Sequence, residues 1–213
     1  MKFLSLVTMM LAVAALAGSA IAATPVKPLW PAQFSATLIV QRASSPQPQF
    51  TRWMYDQVLK KDRFDSIVQF RGETWWANFI ADHSTEVETA LFFQQNTAIC
   101  VQGAINGTLP KPNFTNLKYM GVAIVDYEVV NHWMEEDATH ERTFQIFDSP
   151  SKGRIVRMDI DDRRRGEAWE IFWSELDIGA QDPALFQIPD ELKAACTAVN
   201  LLPSAHDGAS SRF

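Results

Sequence analysis

The sequence predicts a mostly β protein built from successive antiparallel hairpins. Three observations predict it. Arg52–Phe70, RWMYDQVLKKDRFDSIVQF, alternates in character about a turn near Lys60 and Lys61. Trp53, Tyr55, Phe64, Ser66, Val68 and Phe70 then share one face, and Arg52, Asp56, Arg63, Asp65 and Gln69 share the other with Met54 and Ile67, as a half-buried hairpin requires. Further strand-like segments follow through turn residues without a βαβ rhythm. Finally, the chain offers one short helical pattern, too little to cover a sheet. The sheet must therefore curl on itself or pack on its own later strands, as a half-barrel or sandwich with an apolar interior and one or two short helices.

The chain opens with Met1-Lys2, an apolar run from Phe3 to Leu16, and small residues ending in Ala20-Ile21-Ala22. This is the pattern of a signal peptide over residues 1–22, and it predicts a secreted or lumenal protein. About 190 residues then remain, enough for one β-rich domain over 23–202. No later stretch is long and apolar enough for a transmembrane helix. Lys2 is the only charge lost, so the mature net charge is about −7. An acidic surface argues against a nucleic-acid partner and against docking on anionic lipid.

Residues 23–32 form a proline-rich leader. Gln33–Arg42 is the first strand, with Phe34, Ala36, Leu38 and Val40 on one face, and Ala43–Gln49 is a polar connection. After the Arg52–Phe70 hairpin, Thr74–Ala81 and Val87–Gln94 form a second one across the turn-like Asp82-His83-Ser84. Asn96–Asn116 reads as irregular, with Gly103, Gly107, Pro110 and Pro112. It contains two sequons, which make Asn106 and Asn113 candidate glycosylation acceptors. Leu117–Trp133 is strand-rich, and Gly121 marks a bulge. Thr143–Asp148 and Arg154–Ile160 flank a turn, Asp161–Gly166 is a charged turn, and Ala168–Leu176 is the last strand. Leu192, Ala195, Cys196 and Val199 have helical spacing, and 203–213 reads as a disordered tail.

The two cysteines, Cys100 and Cys196, are expected to form a disulfide in an oxidising compartment, with two buried thiols as the alternative. Opposite charges such as Asp56 and Arg63 are expected to pair across the first hairpin on a water-facing surface.

The sequence carries no G-x-S-x-G elbow, H-E-x-x-H, P-loop or C-x-x-C. His132, Glu135, Glu136 and His140 are the best local cluster for a metal or a hydrolytic site, since a helix would place His132 and Glu136 on one face. An acidic connection between strands explains them equally well, and neither metal nor cofactor is assigned. Asp159, Asp161 and Asp162 lack the glycine and terminal glutamate of a calcium loop. Arg163-Arg164-Arg165 fits a processing site or an exposed turn. Seven tryptophans and fourteen phenylalanines either fill a core or line a cavity.

Trp30-Pro31 with Phe34-Ser35-Ala36, Tyr55-Asp56 facing Arg63-Phe64-Asp65, Tyr119-Met120-Gly121 with Trp133, and Phe186-Gln187-Ile188-Pro189 before Cys196 form a recurring order. In it the chain resembles the ependymin-related small secreted proteins of eukaryotes, whose fold is similar to the bacterial lipoprotein carriers. The resemblance implies a curved sheet around an apolar pocket. It implies a non-catalytic protein whose partner is a lipid or another hydrophobic small molecule, and a Cys100–Cys196 bond. The candidate pocket residues are Phe34, Leu38, Trp53, Tyr55, Phe64, Val68 and Phe70. The competing readings are a structural or adhesive protein with a packed core, and a hydrolase using His132 with Glu135 or Glu136.

Overall fold

The hairpin turns are set by short connections with left-handed backbone. Arg71-Gly72 and Asp126-Tyr127 both carry two successive positive φ angles, 54° and 81° in the first and 48° and 62° in the second. Two-residue turns of this kind match the right-handed twist of the strands they join. Such turns connect a computed structural model of twelve strands that describes residues 24–105, 109, 111–139 and 141–199. The strands are β1 (Gln33–Arg42), β2 (Gln49–Asp56), β3 (Lys61–Phe70), β4 (Glu73–Asp82), β5 (Val87–Gln94), β6 (Thr97–Ala104), β7 (Lys118–Val125), β8 (Glu128–Asp137), β9 (Arg142–Ser149), β10 (Arg154–Asp162), β11 (Glu167–Ile178) and β12 (Thr197–Val199). A 3-10 turn, Pro183–Phe186, and one short helix, α1 (Asp190–Ala194), precede β12.

All twelve strands belong to one sheet, in the order β12-β6-β5-β4-β3-β2-β1-β11-β10-β9-β8-β7. The sheet is curved and open, a half-barrel. Two meanders, β1–β6 and β7–β11, meet at a seam where β1 runs antiparallel to β11. Every pairing is antiparallel except β12 on β6. Strands β6 and β7 lie towards opposite ends of that order, so the connection 105–117 runs from one edge region of the sheet to the other.

The first hairpin keeps the two faces that its aromatic pattern predicts, with Trp53 opposite Phe64, but in a register shifted by two residues from the one an Asp56–Arg63 pair requires. Its charge pairing differs. Asp56 lies opposite Lys61 and Arg63 opposite Met54, because the turn spans Gln57–Lys60. The expected water-facing surface is also partly covered. Met54, Ile80, Leu91 and Phe186 form a second cluster on the convex face, joined by Leu185, Ile188 and Leu192 from the C-terminal segment. Beneath it Arg63 donates to both oxygens of Asp65, at 2.7 and 3.0 Å, and to the Leu185 carbonyl at 2.7 Å.

Three further boundaries differ from the sequence pattern. Thr97–Ala104, read as irregular, is strand β6, since the turn at Gln95-Asn96 is too short to break the meander. Leu117–Trp133 divides into β7 and the start of β8 at Asp126-Tyr127, a turn without glycine or proline to mark it. The helical pattern around Cys196 stops at Ala194, and Thr197–Val199 adds to the sheet edge instead. Gly121 does stand at an irregularity in the β7–β8 register, with φ near 118°. Cys100 and Cys196 form a disulfide that fastens the C-terminal segment to β6. Residues 1–22, Asn106, His140 and the tail 203–213 lie outside the described residues.

Candidate functional site

The concave face of the sheet is the principal apolar surface. Period-two alternation brings its residues into rows across the strands. One row runs Ala36, Trp53, Phe64, Phe79, Ala90 and Val101. Another crosses the second meander through Ile171, Met158, Ile146 and Trp133. Both belong to one continuous buried cluster. Small residues at Ala36, Ala77 and Ala90 leave room for neighbouring rings to lie over the sheet.

Two segments outside the sheet cover this face. Trp30, from the leader, packs its ring 5.4 Å from Phe34, 5.6 Å from Trp53, 6.0 Å from Tyr55 and 5.5 Å from Trp173. Phe114, from the 105–117 connection, lies 6.3 Å from Trp30 and 6.5 Å from Phe144 of β9. A bond from the Lys27 ammonium to the Thr115 carbonyl ties the leader to that connection. Asn113 is exposed on the same connection, its Oδ1 accepting from the Thr115 backbone N–H and hydroxyl.

The seven candidate pocket residues all face this side, in two settings. Phe34, Leu38, Trp53, Tyr55 and Phe64 are buried, with Phe34 stacked on Tyr55 and Trp53 stacked on Phe64 at 5.0 Å each. Burial pushes the Tyr55 phenol up from its ordinary range. Val68 and Phe70 sit nearer the rim and are half-buried. Phe70 stacks on Phe92 at 4.0 Å and meets Trp75 edge-on. Ile99, Tyr119 and Phe144 are likewise half-buried against the cluster.

Sequence reasoning missed the polar groups within this face. Asp62 is fully buried beside Tyr55, with His83 Nε2 3.0 Å from its Oδ1 and the Trp53 indole N–H donating to its other oxygen at 3.4 Å. Glu88 is equally buried, one strand beyond Ala81 in the same row. Asp148 accepts from Asn131 and from the Trp133 indole. Parity was the available signal: Asp62 has the parity of Phe64 in β3, and Glu88 that of Phe92 in β5.

The cluster at His132 is dispersed by the strand that carries it. His132 stacks on Phe147 at 4.6 Å on the convex face, its Nε2 2.8 Å from Gln145 Oε1. Glu135 points to the other face and accepts from Asn116. Glu136 shares the His132 face but lies about 13 Å along an extended chain, beyond shared coordination. Asp159 is engaged by Arg157 and Asp162 by Arg142. Among the described residues no group of three or more such side chains is placed to hold a metal.

Clefts also open elsewhere among the described residues. One of about 540 Å³ lies between β3–β6 and the C-terminal segment, lined by Lys61, Asp82, Gln102, Phe186, Ile188 and Lys193 among others. One of about 420 Å³ lies by Val125, Glu128, Lys152, Arg154 and Phe172. Both have mixed polar and apolar walls and lack the continuous apolar lining of the concave face.

No protein-family model and no curated protein sequence matches this chain. Solved structures do. An uncharacterized conserved protein from Thermus thermophilus superposes with a TM-score of 0.51 at 10% identity, covering 79% of this chain and 91% of that one. The MucA/MucB complex of Pseudomonas aeruginosa gives 0.40 at 13% identity, covering 75% and 56%. A putative outer membrane lipoprotein-sorting protein domain from Vibrio parahaemolyticus gives 0.35 at 10%, covering 72% and 88%. The Thermus structure shares the fold; the two lower scores carry nothing further. The Thermus structure that shares the fold is bacterial, and no curated ependymin sequence matches, so the resemblance to ependymin-related proteins of eukaryotes does not stand. Its elements are short, scattered along the chain and mostly aromatic, proline or glycine. Among the described residues no helix is long and apolar enough to cross a membrane.

Proposed function

We propose that this chain is a non-catalytic binding protein that holds a lipid or other hydrophobic molecule against its concave face, outside the cytosol. The observation that carries the reading is the cover. Among the described residues, a continuous apolar face spanning both meanders is overlaid by a few side chains from a leader and a connection, Trp30, Phe114 and Leu117, and not by a second sheet or a helical layer. Val68, Phe70, Ile99, Tyr119 and Phe144 remain half-buried around it and supply contact surface for a guest. Phe34, Leu38, Trp53, Tyr55 and Phe64 form the wall behind them. The disulfide and the signal-peptide pattern support an oxidising location.

Titration of the purified chain with long-chain lipids, followed by tryptophan fluorescence, tests this. Saturation at low stoichiometry is expected, and no saturable binding across a broad lipid panel overturns it. Trp53→Ala is expected to lose about 3–5 kcal/mol of stability, because Trp53 is packed behind Trp30 instead of lining open space. Phe70→Ala is expected to weaken lipid binding more than it weakens folding.

A second reading, an adhesive protein with a packed core, draws on the convex face. There Phe50, Ile67 and Trp76 are exposed, and Ile67 lies opposite Trp76. Ile67→Lys would abolish surface adhesion under this reading and leave lipid binding untouched under the first.

A further inference from the structure

The hydrogen-bonding state of the concave face is asymmetric. Its aspartates are engaged: Asp62 by Trp53 and His83, Asp148 by Asn131 and Trp133, Asp162 by Arg142. Two of its indole donors are not. The N–H groups of Trp75 and Trp173 are buried, with the residues 5% and 3% exposed, and neither has a partner among the described residues. A buried donor in that state has given up its bond to water without replacement, which native interiors rarely tolerate.

Trp75 is the one of the two that adjoins the half-buried rim. It lies on β4 opposite Val68 and 6.2 Å edge-on from the Phe70 ring, the two candidate pocket residues that remain half-buried. The indole thus places a buried, unpartnered donor directly beside apolar contact surface. Trp173 lies deeper, 5.5 Å from both Trp30 and Phe34.

We propose that the guest is an acyl lipid whose carbonyl oxygen accepts from Trp75 Nε1 while its chain lies along Val68, Phe70 and Ile99. This rests on the binding reading given above and narrows it. A pure hydrocarbon fills the same space but leaves the donor open. Trp75 is in this sense a specificity-determining residue, selecting oxygen-bearing chains over bare ones.

The test compares methyl palmitate with a hydrocarbon of equal length, on the wild-type chain and on Trp75→Phe, which keeps an aromatic ring but removes the N–H. The wild type is expected to bind the ester about tenfold more tightly, the worth of one ordinary hydrogen bond. Trp75→Phe should reduce the ester to the affinity of the hydrocarbon and leave the hydrocarbon unchanged. In ¹⁵N-indole spectra the resonance missing from Trp75→Phe should move downfield when the wild type takes up ester, and stay in place with hydrocarbon. Equal affinities for the two guests, or an ester preference that survives Trp75→Phe, overturns the inference and leaves the binding reading standing. So does a Trp75 resonance that is already hydrogen-bonded in the free protein, the signature of a trapped water only. Failure of both guests to bind at all overturns the binding reading and this inference with it.

Discussion

Arg63 shows how a single covered charge changes what a substitution does. With its guanidinium bridging Asp65 and the Leu185 carbonyl, and Asn78 donating to the same carboxylate at 2.6 Å, the site is nearly closed to water. Arg63→Ala leaves Asp65 buried without its cation, and the expected loss is about 3–5 kcal/mol, against roughly 1 kcal/mol or less for an exposed pair. Urea denaturation decides between the two. Two other carboxyls report on acid stability. Asp82 lies at about 2: burial pushes it up, but hydrogen bonds from Ser84 and Lys61 more than offset that. Glu128 also lies at about 2, held down by Lys152, Ser149 and Ser151. Both are depressed, so their contribution is complete above the ordinary carboxylate range near 4 and is lost as pH falls towards 2. Melting temperature should fall between about pH 4 and pH 2, and Asp82→Asn with Glu128→Gln should flatten that limb.

At the scale of elements, the disulfide and β12 act together. Cys196 follows α1 and is bonded to Cys100 in β6, and the three residues after it pair in parallel with Val101–Gly103. Replacing both cysteines with serine is expected to cost about 2–4 kcal/mol in equilibrium unfolding, and faster proteolysis after Phe186 should accompany it. The same region shows what was legible in advance. Strands with clean alternation, such as Phe34–Val40 and the two of the Trp53–Phe70 hairpin, could be placed by face, but not by register, which the Gln57–Lys60 turn sets. β6 could not, because TAICVQGA alternates weakly and its partner β5 defines it only in space. β12 is three residues long, and nothing local distinguishes it from a helix end. The candidate pocket was legible as a face, since parity is a local property. Its depth was not: whether Phe34 or Phe70 touches open space depends on where Trp30 and Phe114 come to rest, and both arrive from segments without periodicity. Asp62, His83 and Glu88 are not legible by charge, because an ionisable side chain in a half-buried strand ordinarily faces water, and only the parity of Asp62 and Glu88 marks them as inward.

At the scale of the molecule, the connection 105–117 joins two meanders that already meet elsewhere. The β1–β11 seam pairs nine residues, and β12 with the disulfide returns the end of the second meander to β6 in the first. The chain therefore closes a circuit through its own sheet, and one peptide bond in that circuit is redundant for holding it together. A protease site placed between residues 105 and 110 and cut in the native state should yield a molecule that still migrates as one particle. Reduction should leave it so, because the seam and the β12–β6 pairing remain, and only denaturant should then release two polypeptides. Separation on reduction without denaturant would contradict this. If the nicked form holds, the two polypeptides amount to a split protein whose reassembly reports on the seam, and whose concave face exists only when both halves are present.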